Sequence, residues 1–142
     1  MKRLVRFVRL PAADRALLLE AITALTSAGV LLRVLRFSRL ASRLGRHMAE
    51  SPSQNDPATS TYAPRGRWAV ETAARHLPWK PVCLPQAVAA QWMLRRRGVA
   101  STLYLGVNPS VGLDAHAWVR AGTMIVTGGP TQDQFAVVSS FA

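Results

Sequence analysis

The sequence predicts an α+β protein in which an N-terminal helical region precedes a helix carrying a cysteine, packed on a small antiparallel sheet. Three observations predict it. Arginines and leucines recur at helical spacing through the first third, Cys83–Gly98 carries the start and stop signals of one helix, and the hydrophobic period switches from helix to strand after Gly98. The 142 residues suit about one domain. A formal charge of +11 accompanies 49% hydrophobic residues, which excludes a disordered basic tail, since such tails lack the apolar residues to build a core. Cys83 is the single cysteine, so an intramolecular disulfide and a cysteine-only metal site are excluded and a reducing, intracellular setting is expected. Neither cofactor nor metal is expected.

The first region, residues 1–49, holds most of the charge. Ten of the 18 Lys and Arg lie in residues 1–46, against two of the seven acids. Lys2, Arg3, Arg6 and Arg9 imitate the basic start of a secretory signal, but no small-residue cleavage site follows an apolar run of the right size. Ala16–Leu32 carries one charge, Glu20, and sits at the lower edge of spanning length; Thr23, Thr26, Ser27 and Gly29 dilute it, and a buried or interfacial helix is expected over a span. Beyond it Arg33, Arg36, Arg39, Arg43 and Arg46 share a helical face opposite Leu32, Leu35 and Leu44. Such a face is either solvated or a surface for anionic lipid or an acidic partner.

Residues 50–66 form the one clear break in composition, with three prolines and almost no aliphatic side chains, and read as a linker or long loop. Residues 67–142 are then the core. Arg67–His76 has helical composition and stops before Leu77-Pro78, because the residue preceding a proline avoids the helical region. There is no internal repeat.

Within Cys83–Gly98, Pro85 suits the first turn, Gly98 the left-handed position after the last, and Arg95, Arg96 and Arg97 the negative end of the dipole. Cys83 is thereby placed where unpaired amides stabilise a thiolate and can hold an oxyanion. A cysteine is also common as a small core hydrophobe. Ser101–Val107 reads as a strand, Asn108–Asp114 as a turn-rich loop, and Ala115–Arg120 as a strand with His116 and Trp118 on one face. A reversal at Ala121-Gly122 into Thr123–Thr127 makes a hairpin that sets His116 opposite Thr127. A cysteine opening a helix, followed by a strand histidine, is what a cysteine hydrolase requires, since the imidazole accepts the thiol proton and later returns it to the leaving amine.

The runs Cys83-Leu-Pro-Gln-Ala, Leu94-Arg-Arg-Arg-Gly, Leu103-Tyr-Leu-Gly-Val and Ala115-His-Ala-Trp-Val resemble the transglutaminase-like cysteine protease domain of lasso-peptide leader peptidases. Asp14–Ala21 through Arg39–Gly45 is similar to the helical region that precedes that core. The resemblance implies a papain-like or transglutaminase-like cysteine protease core with Cys83 as nucleophile and His116 as general base and then acid. The substrate it implies is a ribosomally made precursor, cut between leader and core peptide. The family usually completes a triad with an aspartate about a dozen residues past the histidine, where this chain reads Val126-Thr127-Gly128-Gly129. The third group is open: Thr127, Asp133 if the tail folds back, and Asp114 are the candidates. With its first third already matched to the protease, the chain is expected to be the protease half of a split system, without the leader-recognition module of fused relatives. A separate winged-helix-like leader-binding protein, the precursor and a macrolactam-forming cyclase are the implied partners.

Three rival classes remain in view. Nucleic-acid binding fits the charge, but Trp68, Trp79, Trp92 and Trp118 are dispersed rather than interleaved with basic residues, and no nucleic-acid partner is expected. A basic membrane-surface or scaffold protein fits Ala16–Arg46 and predicts that Cys83→Ala leaves function untouched. Acyl transfer to an amine uses the same two residues as hydrolysis. The expected location is the cytoplasm, with contact at the inner face of the membrane.

Overall fold

The computed structural model describes residues 1–110, 114–129 and 131–142. Residues 111–113 of the expected turn-rich loop lie outside the described residues. The helices are α1 (Lys2–Val8), α2 (Ala12–Val34), α3 (Phe37–Ala41), α4 (Pro57–His76) and α5 (Cys83–Arg96). The strands are β1 (Thr102–Val107), β2 (Ala115–Ala121), β3 (Met124–Thr127) and β4 (Ala136–Phe141), and a 3₁₀ turn covers Thr131–Gln134. The architecture is α+β, as the sequence predicts.

Helix α5 is the centre. Its core residues Ala87, Val88, Ala90, Met93 and Leu94 are all nearly or fully buried, because α2 and α4 cover one side and the sheet covers the other. α2 contributes Leu17, Leu18, Ala21, Leu25 and Ala28, an inner stripe at helical spacing. Among the described residues α2 is the one helix long and apolar enough to cross a membrane by length and composition, and this stripe packs into the core instead. Ion pairs fix its orientation: Asp14 meets Arg65 of α4 at 3.0 Å, and Glu20 meets Arg97 at 2.6 Å and Arg96 at 3.2 Å. The hydrogen bond from Arg97, aided by the charges of Arg97 and Arg96, holds the Glu20 carboxyl below the usual range against the opposing effect of burial. Arg95 instead donates to the carbonyls of Arg43 and Leu44, at 2.9 and 2.8 Å.

The linker expected over residues 50–66 is corrected from Pro57 onward, where α4 begins. Asp56 caps it, its carboxylate accepting from the Thr59 amide at 2.7 Å, and Pro57 occupies the first turn. Pro64 lies inside the helix and faces solvent, while Thr59, Ala63, Gly66, Val70 and Ala73 form a small-residue stripe buried in the core. Burial of that stripe outweighs the hydrogen bond that Pro64 removes. Glu50–Asp56 is a loop strapped to the sheet: Thr102 Oγ1 accepts from the Ser51 amide at 2.7 Å, Arg120 donates to the carbonyls of Ser51 and Pro52, and Asn55 Nδ2 donates to Thr123 Oγ1 at 2.9 Å.

The sheet is antiparallel throughout, in the order β3-β2-β1-β4. Alternation along β2 sends Ala117, Val119 and Ala121 into the core shared with α5, and His116, Trp118 and Arg120 to the other face. Arg46 and Met48 pair with the end of β4, through Arg46 N to Ala142 O at 2.7 Å and Met48 N to Ser140 O at 2.7 Å, tying the N-terminal region to the sheet edge.

Candidate active site

Cys83 is the first residue of α5, partly buried, and the preceding Val82 supplies no side-chain cap. Its first turn therefore keeps unpaired amides that in α4 are partly satisfied by Asp56. Gln86 Nε2 donates to Pro81 O at 2.8 Å and fixes the chain that enters the helix. An open groove of about 450 Å³, lined by Glu71, Ala74, Arg75, Lys80, Pro81 and Gln86, adjoins this end of α5. Lys80 holds a left-handed backbone there, with φ of 43°.

His116 is the second residue of β2. The short connection Arg97–Ser101 leads from the C-terminal end of α5 into β1. β2 is antiparallel to β1 and begins where β1 finishes, with Gly106 opposite His116. The hydrogen bonds of the described residues include none between Cys83 and His116.

The imidazole itself is held from three sides. Trp118 stacks at 5.8 Å between centroids and Phe135 packs at 4.9 Å. His116 Nε2 lies 2.6 Å from Gly128 O. A carbonyl only accepts, so Nε2 carries the proton, and in the neutral ring Nδ1 is left as the free base. Gly128 has φ of +82°, and a Cβ there would come within 2.6 Å of Ala117 O and Trp118 Cβ and 3.0 Å of His116 Nε2. Only glycine brings that carbonyl so close.

The expected register is corrected. The reversal turns at Gly122-Thr123, with Gly122 left-handed beside Asn55, and a bulge follows between Val119 and Arg120. Thr127 therefore pairs with Val119, three residues from His116 along β2. Its hydroxyl is buried and has no hydrogen-bond partner among the described residues. Asp133 sits exposed in the 3₁₀ turn and Asp114 is exposed just before β2, and neither side chain bonds to His116 among the described residues. The group on the imidazole, Gly128 O, was not among the sequence candidates, because a backbone acceptor leaves no residue-type signal. The Gly128-Gly129 pair was the one available hint. Among the described residues no three of His, Cys, Asp and Glu group as metal ligands would.

A cysteine-led helix packed against an antiparallel sheet that carries a histidine is the arrangement that acyl transfer through sulfur requires. The transglutaminase-like superfamily model matches residues 11–140, and the chain belongs to that superfamily. Comparison with curated proteins and with solved structures gives no significant match.

Proposed function

We propose that the protein is a cysteine peptidase that removes the leader from a ribosomally made precursor of the lasso-peptide type, with Cys83 as nucleophile and His116 as general base and acid. The observation that carries this reading is the 2.6 Å contact from His116 Nε2 to Gly128 O, which commits the ring to the tautomer with a free Nδ1. Nδ1 takes the Cys83 thiol proton as sulfur attacks the scissile carbonyl, and returns it to the leaving amine as the acyl-enzyme forms. The open amides of the first turn of α5 support the oxyanion of each tetrahedral intermediate. Water then attacks the thioester, with His116 again as base. Thiol and imidazole must close to hydrogen-bond reach in the substrate complex, and such contacts commonly tighten only there.

A family aspartate is replaced in this scheme by a neutral acceptor. The carbonyl orients the imidazole but stabilises the imidazolium less than a carboxylate would, so the cost falls on rate. Thr127 and Asp133 remain candidate auxiliary groups whose removal tests whether Gly128 O acts alone. A separate winged-helix-like protein would deliver the leader, and the cyclase would take the freed core peptide.

The decisive assay combines the chain, a leader-binding partner and a precursor, and follows cleavage by mass spectrometry. Wild type is expected to cut between leader and core, while Cys83→Ala and His116→Ala are inactive. Cleavage by Cys83→Ala at the wild-type rate would end the proposal. Added amine distinguishes hydrolysis from transfer, since transfer leaves the amine's mass on the leader fragment.

A further inference from the structure

Both acids of α2 are turned inward, Asp14 to Arg65 and Glu20 to Arg96 and Arg97. The outer face of the helix carries Ala16, Leu19, Thr23, Ser27, Val30 and Val34, all exposed and uncharged. Their steps of three or four residues keep them on one stripe, roughly 27 Å long at the α-helical rise. Leu19 and Val30 are each 54% exposed and Val34 75%. A solvated helix face ordinarily carries charge, and this one has none for its length until Arg33.

Charge of a single sign frames the stripe. Lys2, Arg3, Arg6 and Arg9 lie exposed on and just after α1, beside exposed Leu4, Val5 and Val8. Arg33, Arg36 and Arg39 lie exposed at the other end, on the last turn of α2, at its junction with α3 and on α3. No acid occurs in residues 1–46 apart from the two already paired inward.

We propose that the α1–α2–α3 face docks in the plane of an anionic membrane surface. The inner stripe of α2 belongs to the protein core, so the helix lies along the surface and does not cross. The uncharged outer stripe meets the boundary between headgroups and acyl chains. The flanking lysine and arginines reach lipid phosphates from both ends, their methylene stems covering apolar surface on the way. Charge complementarity selects the lipid: the face offers cations and no free carboxylate.

Sedimentation of the full chain with vesicles tests this, using phosphatidylcholine alone and phosphatidylcholine partly replaced by phosphatidylglycerol. Partition is expected to be at least about tenfold higher on the anionic vesicles and to fall with added salt. Leu19→Glu with Val30→Glu, and separately Arg33→Gln with Arg36→Gln and Arg39→Gln, are each expected to lower it about tenfold or more. Arg75→Gln on α4 is expected to leave it unchanged. All these side chains are exposed, and circular dichroism checks that helix content is retained. Equal partition on both vesicles overturns the proposal, as does failure to sediment, the result a protein-docking face would give. Wild-type partition by the Leu19→Glu, Val30→Glu variant also overturns it, because cations alone would then account for binding.

Discussion

The N-termini of α4 and α5 face the same physical problem and meet it in opposite ways. Both helices carry a proline in the first turn and both pack into the same core. At α4 the Asp56 carboxylate accepts from the Thr59 amide, which also holds its carboxyl below the usual range. At α5 the capping position is Val82, which offers no acceptor, and the next residue is Cys83. The closed end is a structural start. The open end leaves first-turn amides beside Cys83, as the proposed chemistry requires; α1, α2 and α3 also lack side-chain caps, so it is the cysteine at that end that singles α5 out.

Substitutions break this contrast in graded ways. The largest effect is expected from Cys83→Ala, which should remove cleavage altogether in the mass-spectrometric assay while leaving the thermal melt near wild type. Gly128→Ala comes next. Its methyl would strike Ala117 O and the Trp118 side chain, so a loss of about 2 kcal/mol or more is expected in urea titration. The variant should also cleave at least about a hundredfold more slowly, as the imidazole loses its acceptor. Nitrogen-15 NMR of wild type at neutral pH should show the Nε2–H tautomer for His116, and a dominant Nδ1–H signal would refute the arrangement.

Val82→Asp would convert the open end into a copy of the closed one. The new carboxylate should satisfy first-turn amides and repel a thiolate, so alkylation of Cys83 by iodoacetamide at neutral pH is expected to slow several-fold while the melting temperature holds or rises. The smallest effect belongs to Asp56→Ala, expected to lower Tm on the order of a few degrees with cleavage unchanged. Because folding lowers the Asp56 pKa, its contribution is complete above the unfolded carboxyl's pKa and disappears as pH falls through the folded one. Wild type and Asp56→Ala should therefore converge in acid, which melts recorded across the carboxylate range would show.

Legibility in the sequence followed the range of the forces involved. Pro85 and Gly98 marked α5 because first-turn and left-handed preferences are local, and Gly98 does adopt φ of +69°. Period-two alternation marked β2, strand-like composition marked β1, and the reversal after β2 marked β3, for the same reason. Helix α4 was hidden before Arg67 because its serines, threonines and prolines carry turn preferences, while the stripe that overrides them gains its energy from α2 and α5. The hairpin was visible, yet its register was not. Gly122 turns one position later than the local pattern suggests, fitted against Asn55 of a distant loop, and the bulge at Val119/Arg120 adds a further step.

What the sequence determined by itself is therefore the α+β class and the superfamily motif runs, with Cys83 and His116 as the residues proposed for its chemistry. Tertiary structure alone decided that residues 57–66 continue into α4, which way the acids of α2 turn, and which atom holds His116. The physical reason is common to all three. A side-chain type announces itself in sequence, whereas a backbone carbonyl acquires a role only when a bulge and a left-handed glycine carry it to within 2.6 Å of an imidazole.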